Sequence, residues 1–296
     1  MNDEHVGTAR PSGTRGAGAA GVAGAAGAGD REAASAASDA PIAGSGEKDA
    51  PRATTTADRD AAREKVIVAL DLPDAESALE LARTLRGHVG WVKVGMTLYY
   101  AEGPAIVREM RSLGFKVFVD LKLHDIPHQV EGAARTLTRA GADMFTVHAA
   151  GGSAMMEAAV SAAAAAAERF RVSRPSVIAV TVLTSLDDAA LESVGVSRPA
   201  AEQVSALAAL ARDAGVDGVV CSPQEAAAMR ELLGPGALVV TPGVRPSGAD
   251  AGDQARTATP AEAIEAGASH LVIGRPVTGA ADPAAAARDI VKELIA

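Results

Sequence analysis

From Lys65 onward the chain alternates short β-branched, apolar runs with Ala/Leu-rich stretches, and nothing else in it constrains the fold so strongly. The strand-like runs are VIVALD (66–71), WVKVGM (91–96), KVFVDL (116–121), DMFTVH (143–148), SVIAVTVL (176–183), GVDGVVC (215–221), ALVVTP (237–242) and HLVIG (270–274). Between them, stretches such as DAESALELARTLRG, GPAIVREMRSLG and AAEQVSALAALARDAG have helical spacing and end on glycine, as a helix does when it is capped and hands over to a strand. Continuous apolar strands separated by helices belong to a parallel sheet covered on its outside. Eight of them predict an α/β fold, a single-domain (β/α)8 TIM barrel over residues 63–296. An open doubly wound sheet is the competing arrangement, but no G-x-G-x-x-G follows the first strand.

The first 62 residues differ in kind. They contain no Leu, Phe, Tyr or Trp and run through GAGAAGVAGAAGAGD and AASAASDA, so they have too little apolar surface to offset the entropy of ordering. Residues 1–62 are therefore expected to form a disordered Ala/Gly/Ser-rich tail. Its mixed charges do not make a basic nucleic-acid arm, and its start lacks the compact hydrophobic stretch of a signal peptide. A net charge of −9 argues against general affinity for nucleic acid or for an anionic membrane, and no long apolar run is present to span one. The single cysteine, Cys221, excludes an internal disulfide and a cysteine-cluster metal site and points to the reducing cytoplasm. Ending the run GVDGVVC, it reads as a small buried hydrophobe.

In a barrel of this kind chemistry sits at the carboxyl ends of the strands. Asp71 ends the first strand and Lys93 lies on the second, while the third delivers Asp120, Lys122 and Asp125 in FVDLKLHDIPHQV. His148, Thr184, Pro242 to Arg245 and Gly274–Arg275 follow at later strand ends. Asp120 and Lys122, two apart, share one face of an extended backbone. A D-x-K pair can simply be a salt bridge closing the barrel top. Asp125 and Lys93 beside it favour an alternating charge array that keeps both lysines cationic. A held ammonium can protonate carbon or stabilise a carbanion, whereas a Schiff-base lysine wants an apolar pocket. The opposite side of the mouth has the look of a phosphate site. TPGVRPSGADAGDQAR offers glycines with Arg245, Gln254 and Arg256, and IGRP adds Arg275, at the loops after strands seven and eight where this fold grips phosphate. Residues 247–254 are expected to close over that phosphate. His124 and His148 read as structural, and the histidines show no metal-binding spacing.

The ordered set A-L-D, V-K-V-G, D-x-K-x-x-D-I-P, L-T-S, P-G-x-R…D-Q and I-G-R-P resembles the orotidine 5′-phosphate decarboxylase family from Val66 to the end of the chain. The resemblance implies cofactor-free, metal-free decarboxylation of orotidine 5′-phosphate to uridine 5′-phosphate, the last step of pyrimidine nucleotide synthesis. It implies that Lys122 protonates C6 of the pyrimidine, that Asp120 sits against the substrate carboxylate, and that Asp71 and Lys93 hold the ribose hydroxyls and complete the array. It further implies a homodimer in which Asp125 reaches the neighbouring subunit's site, Ile126 and Gln129 lie at the substrate, and Thr184 meets the pyrimidine edge. Pro242, Arg245, Gln254, Gly274 and Arg275 then make the phosphate grip. One position departs from the family pattern D-I-P-x-T: Gln129 stands where threonine is usual. Two other functions compete. Sugar-phosphate decarboxylases and aldolases are similar at D-x-K-x-x-D but typically need magnesium, and they fit the L-T-S and P-G-V-R…D-Q segments poorly. A barrel retained only as a scaffold would be expected to have lost Lys122 or Asp120.

Overall fold

The computed structural model describes residues 55–246 and 258–296. Gln254, Arg256 and the loop expected to close over the phosphate (247–254) lie outside the described residues.

Eight parallel strands close into a barrel in chain order: β1 (Val66–Ala69), β2 (Trp91–Gly95), β3 (Lys116–Leu123), β4 (Met144–His148), β5 (Ser176–Val180), β6 (Gly218–Val220), β7 (Leu238–Pro242) and β8 (His270–Ile273). β8 pairs back onto β1, with Ile67 opposite Val272, so the sheet has no edge. β6 is shorter than the run GVDGVVC suggested. Gly215, at φ +77, serves the end of the preceding helix, and the Asp217 carboxylate accepts the Val177 N–H at 2.7 Å instead of extending the strand.

The continuous apolar strands divide into two cores. Side chains facing outward, such as Val66, Val68, Val92, Val94, Val117 and Val119, are fully buried beneath the helices. Side chains facing inward fill the barrel itself: Ile67, Ala69, Trp91, Phe118, Met144, Ile178, Val240 and Val272. Successive inward positions are two residues apart. The apolar plug made by Trp91, Phe118 and Met144 is therefore followed, one step toward the carboxyl ends, by Lys93, Asp120 and Thr146. That step is where the barrel interior changes from apolar to charged.

The folded part begins earlier than composition suggested. A helix spans Thr56–Arg63, and all of it but Arg63 was assigned above to the tail. Thr55 and Asp58 form a reciprocal capping box, with Asp58 N–H donating to Thr55 Oγ1 at 3.1 Å and Thr55 N–H to Asp58 Oδ2 at 2.9 Å. Ala62 is buried, and the helix packs against the helix Pro283–Glu293. Among the described residues no helix is long and apolar enough to cross a membrane.

Candidate active site

β3 carries the centre of the site and does so by leaving its ladder. It stays in register with β2 as far as Gly95 opposite Asp120. Against β4 it slips: Val119 pairs with Phe145 and Leu123 with Val147, so four steps along β3 match two along β4. The surplus backbone bulges at Asp120–Lys122, and Lys122 takes φ +52, a left-handed conformation that costs a non-glycine residue about 1 kcal/mol or more. This explains why β3 runs on to Leu123 rather than ending at Leu121.

The bulge places four charges in line. Lys122 Nζ donates to both Asp120 oxygens at 2.9 Å. Lys93 Nζ, on the next strand, is 3.7 Å from Asp120 Oδ2 and 2.8 Å from Asp71 Oδ1. The order is Asp71–Lys93–Asp120–Lys122, alternating in sign. With side chains only 9 % and 13 % exposed, Lys93 and Asp120 need each other, because a buried charge without a partner is strongly unfavourable. Burial pushes the Asp120 carboxyl up. Lys93, Lys122 and the hydrogen bonds from Lys122 and Thr146 together outweigh that and hold it below the usual carboxylate range. Burial, helped by the His124 and Lys122 charges and opposed by Asp120, holds His148 below the usual imidazole range. The two imidazoles lie 5.3 Å apart beside the array.

The four charged residues of the array line a cavity of about 340 Å³ at the carboxyl ends of the strands. Of the residues singled out in the sequence, it brings together Asp71, Lys93, Asp120, Lys122, Thr184, Pro242, Arg245, Gly274 and Arg275. Val180, Val182, Val220 and Val272 give it an apolar side. Thr184 lies in the loop beyond β5, which ends at Val180. Arg245 is buried, its backbone N–H donating to Ala258 O at 2.9 Å. Arg275 follows Gly274 directly after β8 and opens a short helix to Thr278.

Three expected residues stand apart from this cavity. Asp125, Ile126 and Gln129 are exposed at the start of the helix Pro127–Ala140, on the rim. Asp125 Oδ1 accepts the Ile126 N–H at 2.7 Å, and the Gln129 N–H donates to Ile126 O at 3.0 Å. Tyr100 and Met96, on the helix that follows β2, are also exposed. Sequence reasoning missed Thr146, whose hydroxyl contacts both Lys122 and Asp120. Its one signal was its place two residues before His148, on the same inward face of β4. Among the described residues no three His, Cys, Asp or Glu side chains converge as a metal-holding group.

Comparison with known proteins agrees with this geometry. The family model described as orotidine 5′-phosphate decarboxylase / HUMPS family matches residues 64–290. The orotidine 5′-phosphate decarboxylase of Moorella thermoacetica is 54% identical over 234 residues, covering 79% of this chain and 93% of its own length. That of Thermobifida fusca is 51% identical over 230 residues, covering 77% and 95%. The crystal structure of orotidine 5′-phosphate decarboxylase from Lactobacillus acidophilus superposes with a TM-score of 0.70 at 40% identity, covering 79% of this chain and all of that one. With a closed eight-stranded barrel, a family match over most of its length and relatives at this identity, the chain belongs to the orotidine 5′-phosphate decarboxylase / HUMPS family.

Proposed function

We propose that this chain decarboxylates orotidine 5′-phosphate to uridine 5′-phosphate without metal or organic cofactor, and that Lys122 delivers the proton. The observation that carries this is the Asp71–Lys93–Asp120–Lys122 line on one side of a cavity that has Arg245 and Arg275 on its β7–β8 side. The dianionic phosphate fits between the two arginines, where their charge and the Gly243 and Gly274 backbone receive it. The ribose hydroxyls fall to Asp71 and Lys93, and the pyrimidine lies against the valines with Thr184 at its edge. The carboxylate on C6 then meets Asp120 and Lys122. The C6–carboxyl bond breaks, its electron pair stays on C6, and carbon dioxide leaves. The Lys122 ammonium, already held by Asp120, stabilises the developing carbanion and gives it a proton, forming the C6–H bond. Lys122 regains its proton from solvent after release.

The site is completed, in this reading, by a second copy of the chain. Asp125 is the acid expected to cross into the neighbouring subunit's cavity. Its exposure, together with that of the neighbouring Ile126 at 64%, supports a covered face on this rim. Gln129 lies on the same rim, one helical turn beyond Ile126, with its amide free to meet the ribose across the interface. A cytoplasmic setting suits a biosynthetic enzyme whose one cysteine is free and buried.

The test is turnover of orotidine 5′-phosphate by the purified full chain, followed by the absorbance change and by uridine 5′-phosphate formation, with EDTA present throughout. Turnover unaffected by EDTA is expected. A folded, dimeric chain with no turnover would overturn the reading.

A further inference from the structure

Thr146 has no assigned part in the site, yet it sits at the point where β3 departs from its ladder. It is the one β4 residue between Phe145 and Val147, the two that remain paired across the slip. Its side chain is fully buried. Its Oγ1 accepts the Lys122 backbone N–H at 2.8 Å and donates to Asp120 Oδ1 at 3.0 Å. A backbone N–H can only donate, so the single hydroxyl proton is directed to the carboxylate, and each bond orients the other. One hydroxyl thus stands in for the ladder bond lost at the bulge. It also ties the left-handed Lys122 backbone to the carboxylate that the Lys122 ammonium touches.

We propose that Thr146 is a positioning residue for the reaction: its hydroxyl holds Lys122 in the bulged conformation that aims its ammonium, and fixes the rotation of the Asp120 carboxylate against the cavity. This rests on the decarboxylase reading above and names what aims its proton donor. Without the hydroxyl, the Lys122 N–H is left without its acceptor and Asp120 loses a donor that favours its ionised form. Asp120 is faced by Lys93 of β2 with Asp71 behind it, by Lys122 on its own strand and by His148 of β4, with Arg245 and Arg275 on the β7–β8 side of the cavity. A Thr146 variant leaves Lys93, Asp71, His148 and both arginines in place, so an upward move in Asp120 titration reports the lost hydroxyl together with the loosened Lys122 ammonium.

The experiment compares Thr146→Val, close in shape but without the hydroxyl, with Thr146→Ser, which keeps it. Readouts are kcat and KM for orotidine 5′-phosphate, the pH profile of kcat, binding of uridine 5′-phosphate by calorimetry, and carbon-13 NMR titration of the Asp120 carboxyl. A role in aiming the donor predicts a fall in kcat of about 10- to 100-fold in the folded valine variant, the scale of a lost hydrogen bond to a charged group. KM and product affinity should change by less than about threefold, well under the 1.4 kcal/mol of a tenfold effect. The acid limb of the kcat profile and the Asp120 titration should both move upward, and serine should restore kcat to within a few-fold of wild type. Wild-type kcat and Asp120 titration in the valine variant, or equal losses with valine and serine, would overturn the proposal. If valine crowds the barrel and the variant does not fold, Thr146→Ala removes the same hydroxyl and is read the same way. If the wild type has no turnover, the decarboxylase reading fails separately. The Asp120 titration then decides on Thr146 alone, an unchanged titration in the valine variant counting against it.

Discussion

Gly95 ends β2 at φ −88, where alanine meets no backbone strain. A Cβ there would lie 2.5 Å from Asp71 Oδ1 and 2.9 Å from Lys93 Nζ, the two atoms of the 2.8 Å ion pair at the head of the charge array. Carbon and oxygen come no closer than about 3.2 Å without overlap, so in Gly95→Ala both side-chain ends must withdraw. The fold tolerates this, because both atoms terminate flexible side chains and Asp71, 57 % exposed, can turn into water. We expect a stability loss of about 1 kcal/mol, which in a domain of this size lowers Tm by roughly 2–4 °C. Activity has no such slack. Lys93, 9 % exposed, loses its nearest partner and keeps only Asp120 at 3.7 Å, so both groups leave the positions from which, in the proposed reaction, they meet the ribose and the carboxylate. A fall in kcat/KM of about tenfold or more is predicted, equivalent to about 1.4 kcal/mol of transition-state stabilisation. The assay is steady-state decarboxylation beside a thermal melt. A variant with wild-type kcat/KM would refute the idea that the Asp71–Lys93 contact matters for turnover. A melt lowered by tens of degrees would refute the claim that only side-chain ends are displaced.

Two further predictions concern the opposite end of the barrel and its wall. Burial, reinforced by Lys116 and Lys65 and opposed by Glu64, lowers His270 to about 4, while its ring packs edge-on against Trp91. Its contribution is fully present above the unfolded value near 6.5 and is lost as pH falls from there toward about 4, a swing of about 3 kcal/mol. Denaturant unfolding across this range should fall more steeply for wild type than for His270→Phe, and parallel curves would contradict it. Cys221 is buried with its thiol pushed up to about 12, chiefly by burial. It should be inert to a thiol reagent at pH 8 until the chain is denatured, and labelling of the native protein at a free-thiol rate would show the site to be open.

The barrel was legible because its strands are apolar throughout, and a strand buried on both faces leaves that mark in the sequence without any tertiary information. The charged residues of the mouth were legible for the opposite reason: Asp120, Lys122 and Lys93 interrupt runs that would otherwise be apolar. Thr146 was not. A threonine within a strand is ordinary, and its significance arises only from the slip between β3 and β4, a pairing between segments about 25 residues apart. The left-handed Lys122 was hidden likewise, since no glycine marks the bulge. The helix Thr56–Arg63 was missed because composition averaged over 62 residues hid a local signal, the Thr55-x-x-Asp58 capping box. Ile126 and Gln129 were identified by resemblance alone; Asp125 was also read as part of the charge array, but it lies exposed on the rim outside the Asp71–Lys93–Asp120–Lys122 line.

In the proposed reaction one ammonium, aimed by the bulge in β3, supplies the proton to carbon. The measurement that meets it most directly is decarboxylation of orotidine 5′-phosphate by Lys122→Ala beside wild type, with binding of uridine 5′-phosphate as the check on an intact site. A loss of kcat by several orders of magnitude is expected, since this variant removes both the proposed proton and the charge nearest the carbanion, with product binding largely kept. A folded Lys122→Ala chain that binds uridine 5′-phosphate and turns over within about tenfold of wild type would contradict it, and the proton would have to come from elsewhere.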